Sequence, residues 1–444
     1  MKLIKPLAAV AAVVGLAVLP VTAGAAPPKT LWVAPAPVVV ASVPRAVTPA
    51  VTNAGYATAP YHTIQSAIAA APAGATINIC AGTYVEQLTI TQSVSLVAVG
   101  AVTVALPASP ANSETACDNA VGNGPYEPDQ DEVVLCGSAS VNITGVTVDA
   151  AWAAGTCNDS LYGILVAGGA TLNFTDSSVT AAGAVPLNGC QGGVGIQIGM
   201  AWTTPVEVGH ATLLNDKISG YQKNGITVDG TGASANIDDT TVTGIGATTL
   251  IAQNGIQISN GALGTIYGST ITGNECDDTG GGCGPSVLDG VPAVGVLFYG
   301  PAAGSSVTAS AINANDAGVY NAEASTVKVP RSPVVSVNLD TLTNNRYEGI
   351  ELDQGWASMT GDSINGGEAG IAVLQYDTQS YGANGTATLD TIRNESIAAV
   401  DVASDQAAGD YHGTLSVELS DLRGNAARVL DNSLNYTVFQ LLDL

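Results

Sequence analysis

A glycine followed by two apolar residues at alternate positions returns along the chain: Gly163-Ile164-Leu165-Val166, Gly195-Ile196-Gln197-Ile198, Gly225-Ile226-Thr227-Val228, Gly255-Ile256-Gln257-Ile258, Gly295-Val296-Leu297-Phe298, Gly349-Ile350-Glu351-Leu352 and Gly370-Ile371-Ala372-Val373. Each copy reads as a short strand whose aliphatic pair faces one way. A second unit interleaves with it, a polar pair, one aliphatic residue and a turn. Its aliphatic member falls at Val179, Ile218, Val242, Ile271, Ile312, Leu342, Ile364, Ile392 and Leu422, on average about 30 residues apart. Individual intervals run from 22 residues (Leu342 to Ile364) to 41 (Ile271 to Ile312), so the variable part is loop. Fixed strands with elastic connections define a solenoid, in which each coil buries its aliphatic face only against its neighbours. The expected fold is all-β, a parallel β-helix of about ten coils stacked roughly 4.8 Å apart. Asn and Gly at the corners are expected to supply left-handed or tight backbone. An antiparallel propeller or sandwich would need hairpins, whereas Asn224-Gly225 and Asn254-Gly255 precede an apolar pair instead of joining two strands.

Composition agrees. Across 444 residues only 11% are charged and 5% aromatic, while 46% are hydrophobic and 52 are Gly. So little charge cannot coat several amphipathic helices, and so few rings argue against one thick core. At the N-terminus, Lys2 and Lys5, the apolar run Leu7 to Leu19 and Ala23-Gly24-Ala25 form the three parts of a secretory signal peptide over residues 1–25. Residues 26–55 are rich in Pro, Ala and Val and read as an irregular tether or an edge strand, with Pro favouring the tether. Residues 56–444 are expected to form the β-helix domain with loop insertions. Without Lys2 and Lys5 the chain keeps 10 basic residues against 37 acids, a net charge of −27. On an extracellular or cell-surface protein such a surface repels nucleic acid and anionic lipid, and polyanionic glycans as well unless a divalent cation intervenes.

All seven cysteines follow the leader, and an exported chain is expected to oxidise them. Cys276 and Cys283 bracket a Gly-rich loop, and Cys117 with Cys136 and Cys157 with Cys190 frame loop-like segments. These three pairs leave Cys80 as the odd thiol. Zinc is the weaker reading, because no CxxC occurs and His62, His210 and His412 are scattered.

The order Tyr61-His62-Thr63-Ile64-Gln65-Ser66-Ala67-Ile68-Ala69-Ala70-Ala71-Pro72, a short helix with Ile64, Ala67, Ile68 and Ala71 on one face, precedes the strand Gly74 to Ile79, the run Gly82-Thr83-Tyr84-Val85-Glu86 and the strand Leu88-Thr89-Ile90. Over residues 60 to 100 this resembles the opening of right-handed parallel β-helix proteins of the pectin-lyase-like superfamily. The resemblance implies that fold, with the helix closing the first coil, and an extracellular, often carbohydrate-directed role; an enzyme of this kind would be a polysaccharide lyase or a glycoside hydrolase. Its catalytic signatures are missing. Arg331-Ser332-Pro333 lacks the second Arg of a lyase RxPxxR, and Asp238-Asp239 has no GHG or RIK behind it. No catalytic residue therefore carries over.

The densest chemistry lies in Asn345-Arg346-Tyr347-Glu348-Gly349-Ile350-Glu351-Leu352-Asp353-Gln354-Gly355-Trp356. Glu351 and Asp353 are two apart on a strand, so both are expected outward and wet with α-carbons about 6.7 Å apart. Carboxyl groups near that separation suit inverting glycoside hydrolysis, one as acid and one as base. Trp356, Tyr347 and Tyr299 are candidate platforms for a sugar ring, and Arg346 a partner for an acidic saccharide. The alternative is a solvated strand face on a non-catalytic surface or matrix protein. Asp277 and Asp278 are candidate Ca²⁺ ligands, although neither they nor Asp238-Asp239 form a D-x-D-x-D loop.

Overall fold

The computed structural model of the chain describes residues 30–36, 59–111, 129–153, 155, 157, 160–277, 292–322, 334–375, 383–404, 414–431 and 437–440. The signal-peptide segment 1–25 lies outside these. The strands pair in parallel, one coil on the next, in three sheets. Val194–Ile198 in sheet one, Gly209–Leu214 in sheet two and Lys217–Ser219 in sheet three pair with Asn224–Asp229, Ser234–Asp238 and Thr241–Thr243 of the following coil. The result is a right-handed parallel β-helix.

The aliphatic repeat is its interior. Ile164, Ile196, Ile226, Ile256, Val296, Val319 and Ile350 stack in register and are each fully buried. The second series, Val179 to Leu422, lines the inner face of sheet three and its continuation and is no more than 2% exposed at any member. Each such side chain contributes about 1.5–3 kcal/mol. One coil escapes the sequence pattern: Ala317–Ala322 carries Asn321 where an aliphatic residue is expected.

The glycines that mark the repeat are distinct from the corner glycines. They do not adopt left-handed backbone. A Cβ on Gly195 would come within 2.5 Å of the Gly225 carbonyl oxygen and 2.8 Å of Ile218 Cγ2, and Gly163, Gly225, Gly255 and Gly295 meet the same obstruction from the next coil. Close approach of successive coils excludes every side chain there. Left-handed backbone falls at the corners, as expected of Asn and Gly there: at Asn260 and Gly261 between sheets one and two, at Gly220, Gly273 and Asn344 after sheet three, and between sheets two and three at Asn215 together with Asp176, Asp239, Ala309, Leu339, Leu389 and Leu419.

Just after that corner the coils are tied by a ladder in which a backbone N–H of one coil donates to a side chain of the next. Ser177 N donates to Asp216 Oδ1 (2.8 Å), Thr240 N to Ser269 Oγ (3.1 Å), Ser310 N to Asp340 Oδ1 (2.7 Å), Asp340 N to Asp362 Oδ1 (2.8 Å), Asp362 N to Asp390 Oδ1 (2.8 Å) and Asp390 N to Ser420 Oγ (3.1 Å). A second ladder, ahead of sheet one, joins Tyr221 Oη to Asn274 Oδ1, Asn274 Nδ2 to Asn315 Oδ1 and Asn315 Nδ2 to Asn345 Oδ1. Buried backbone N–H groups at the corner are thereby satisfied coil by coil.

At the N-terminal end the helix Ile64–Ala70 covers the first coil with Ile64, Ala67 and Ile68. The Glu86 carboxylate accepts from Ile64 N and Gln65 N, and Gln92 Nε2 donates to Ile68 O and Ala71 O, so both helix ends are bonded to the coil beneath. Thr30–Val33 corrects the tether reading of its segment: these residues form an edge strand parallel to Thr76–Ile79. Cys157 and Cys190 form a disulfide, and Cys80 is a buried free thiol. Cys136 and Cys276 are disulfide-bonded as well; Cys117 and Cys283, expected opposite them, lie outside the described residues.

Candidate functional site

Sheet one carries two outward files. The first runs Leu165, Gln197, Thr227, Gln257, Leu297, Tyr320, Glu351, Ala372 and Asp401, one residue per coil. The second, three residues upstream on each strand, runs Tyr162, Val194, Asn224, Asn254, Val294, Ala317 and Glu348. Both lie on one side of the sheet, as the 2.9 Å hydrogen bond from Asn224 Nδ2 to Thr227 Oγ1 requires. Glu348 therefore joins Glu351, which the two-residue alternation of a regular strand concealed.

The expectation that this face is wet is corrected. Gln197, Thr227 and Glu351 are at most 3% exposed. Strand periodicity fixes the direction in which a side chain leaves the backbone and says nothing of what covers it. Glu351 and Glu348 are buried, and Asp353 is half-buried. Burial, then the Asp353 carboxylate, holds Glu351 far above the ordinary carboxyl range. Glu348 is raised likewise by burial, then by Glu351, Glu368, Asp401 and Asp316. Burial also raises Asp401. Glu348 Oε2, Glu351 Oε2 and Asp401 Oδ1 are buried with no hydrogen-bond partner. Tyr320, from the coil the repeat pattern misses, donates its hydroxyl to Asp353 Oδ2 at 3.1 Å. The shift of Glu351 favours its protonated form, the form in which a carboxyl can donate a proton.

The other candidates divide. Tyr299, 42% exposed, lies on this face in the file of Ser259, two coils from Asp353. Tyr347 is not a surface platform: it is 3% exposed, and the Arg346 guanidinium lies 4.8 Å from its ring centroid. Arg346 also donates through Nη1 to Cys276 O at 2.9 Å and lies 3.9 Å from Asp316, so its cationic head is engaged by its own chain. Trp356 begins Trp356–Thr360, which pairs with Val334–Asn338 in sheet two, past the corner from Glu351, and does not share its face. Asp277 is half-buried, with its N–H on Thr248 O, and Asp278 lies outside the described residues. Among the described residues no group of three His, Cys, Asp or Glu is placed to hold a metal ion.

No protein-family model matches the chain, and no curated protein is similar to it. Solved structures are. A variant of the periplasmic alginate epimerase AlgG matches 83% of this chain and 77% of its own at 11% identity, with a TM-score of 0.52. The A-module of the Azotobacter vinelandii mannuronan C-5 epimerase AlgE4 matches 85% of this chain and 95% of its own at 13% identity (TM-score 0.51). The Agl-KA catalytic domain matches 84% of this chain and 64% of its own at 11% identity (TM-score 0.52). At these identities the likeness is one of fold.

Proposed function

We propose that this is an exported β-helix that binds extracellular polysaccharide along the outer face of sheet one and acts on it at the acidic end, with Glu351 as general acid and Asp353 as general base. The observation that carries the reading is the meeting of Glu348, Glu351, Asp353 and Asp401 on that face, where burial and then the neighbouring carboxylates raise Glu348 and Glu351 well above the ordinary carboxyl range. Export is supported by the Cys157–Cys190 disulfide and the N-terminal leader pattern. Two of the structural neighbours are named as epimerases of alginate or mannuronan, which supports a glycan ligand for this fold. Tyr299, exposed on the same face, is the aromatic best placed to meet a sugar ring.

A second reading, a non-catalytic surface or matrix protein that binds glycan without cleaving it, is favoured by one fact: Glu351 is only 1% exposed. Incubation with a panel of polysaccharides, followed by assay of new reducing ends and of unsaturated products, separates the two. Turnover by the parent that falls at least about a hundredfold in both Glu351→Gln and Asp353→Asn supports catalysis. Turnover unchanged in both variants would remove these residues from the chemistry. Ca²⁺ bridging at Asp277 and Asp278 would appear as binding lost to a chelator and restored by Ca²⁺.

A further inference from the structure

Nearer the N-terminus, on the same face of sheet one, lies a cleft of about 330 Å³ that no motif in the sequence announces. Its floor is a grid built by consecutive coils, Tyr162, Val194 and Asn224 in one file and Gln197, Thr227 and Gln257 in the other. Adjacent rungs are about 4.8 Å apart, comparable to the length of one sugar ring.

One wall is Trp202, 44% exposed although it stands on a firmly held turn. Met200 and Glu207 exchange backbone hydrogen bonds, Thr203 Oγ1 donates to Met200 O and accepts from Glu207 N, Ala201 N donates to Asp229 Oδ2 at 2.6 Å, and Gly168 N donates to Glu207 Oε2 at 2.6 Å. The opposite wall, Gln191 and Gly192, follows Cys190 of the disulfide and is held by Gln222 Nε2 on Cys190 O and Gly192 O. An indole presented to solvent from a fixed wall is preorganised for a flat apolar surface.

The polar groups facing this space are amides and hydroxyls. Asn224 Nδ2 donates to Gln257 Oε1 at 3.0 Å and to Thr227 Oγ1, which leaves the Thr227 hydroxyl hydrogen to donate outward; Gln197 Nε2 donates to Gly199 O, which leaves its Oε1 to accept. Among the described residues no Asp or Glu lines the cleft, in a chain that carries 37 of them. The one charged group among the described lining residues, Lys223, already donates to Ala252 O at 2.8 Å. Without a guanidinium fork or a carboxylate pair to hold a bridging cation, the cleft has little to offer a uronate, and the net charge of −25 repels a polyanion before it arrives.

We infer that this cleft is a subsite for an uncharged pyranose ring, stacked on Trp202 and held through its hydroxyls by Gln197, Thr227 and Gln257. The inference rests on the polysaccharide reading only in taking the ligand to be a saccharide; it does not need turnover at Glu351. Isothermal titration with neutral hexasaccharides of glucose, mannose and xylose and with hexauronates tests it. At least one neutral ligand is expected to bind, with affinity lowered about tenfold in Trp202→Ala and reduced in Thr227→Val. Tyr267→Ala, which removes a 56% exposed ring from sheet two, is expected to leave binding unchanged. Preference for the uronates, or neutral binding that survives Trp202→Ala, would overturn the assignment of the cleft while leaving the polysaccharide reading in place. Failure of every saccharide to bind the parent protein would overturn both.

Discussion

Asp362 stands mid-ladder between Asp340 and Asp390, one coil from each, and its Oδ1 accepts the Asp340 N–H. Burial pushes its carboxyl up to about 9; the Asp340 N–H opposes that, and the Asp390 and Asp340 carboxylates add to it. The unfolded chain releases this proton near the ordinary value of 3.8, whereas the folded chain keeps it. Between about pH 4 and pH 7 the unfolded state therefore binds about one proton fewer, and stability falls by about 1.4 kcal/mol per pH unit, about 4 kcal/mol across the interval. In Asp362→Asn the amide oxygen accepts the same N–H and has no proton to lose. The variant should match the parent within about 1 kcal/mol near pH 4 and exceed it by about 2–4 kcal/mol near pH 7. Asp340, raised to about 7, and Asp390, raised to about 6, keep a residual slope in the variant. Urea unfolding at the two pH values, disulfides intact, measures both gaps. Equal gaps at both pH values, or a variant less stable near pH 7, would refute the reasoning.

Leu389, 55% exposed at φ 62°, is a branched side chain in left-handed backbone; Leu389→Asn should raise stability by about 1 kcal/mol, read as a higher urea midpoint, and no gain would show that the corner is unstrained. Asn315→Ala leaves Asn274 N and Nδ2 buried without their acceptor and should lower stability by about 2–4 kcal/mol in the same assay. Gly195→Ala forces a Cβ against the next coil's carbonyl oxygen and should lower the thermal midpoint steeply or prevent folding, whereas Gly246→Ala, with nothing near its Cβ but φ 77°, should cost only about 1 kcal/mol.

The coil architecture was legible because one aliphatic column recurs regardless of loop length: Val179, Ile218, Val242 and Ile271 announce stacking before any contact is known. Glycine was legible as a mark of the repeat but not in its cause, since exclusion by a neighbouring carbonyl depends on coils distant in sequence. The coil Ala317–Ala322 stayed hidden because Asn321, buried and donating to Trp356 O, replaces the aliphatic residue a pattern search requires. At the candidate site, Glu351 and Asp353 follow from strand alternation, whereas Glu348 and Asp401 join them only through the register of neighbouring coils. Tyr347 and Trp356 look equally exposed in sequence; one is covered by Arg346 and the other lies past a corner. The cleft beside Trp202 draws its parts from loops and four coils, which share no local pattern.

The corner ladder has a mechanical consequence. Its bonds, like those of the sheets, run along the long axis, so traction on the two ends strains the outermost turn first and leaves the remainder slack-free until that turn lets go. Each release pays out about 30 residues of thread, roughly 10 nm. A filament built this way yields by successive small surrenders and dissipates work at every step, instead of parting in one rupture.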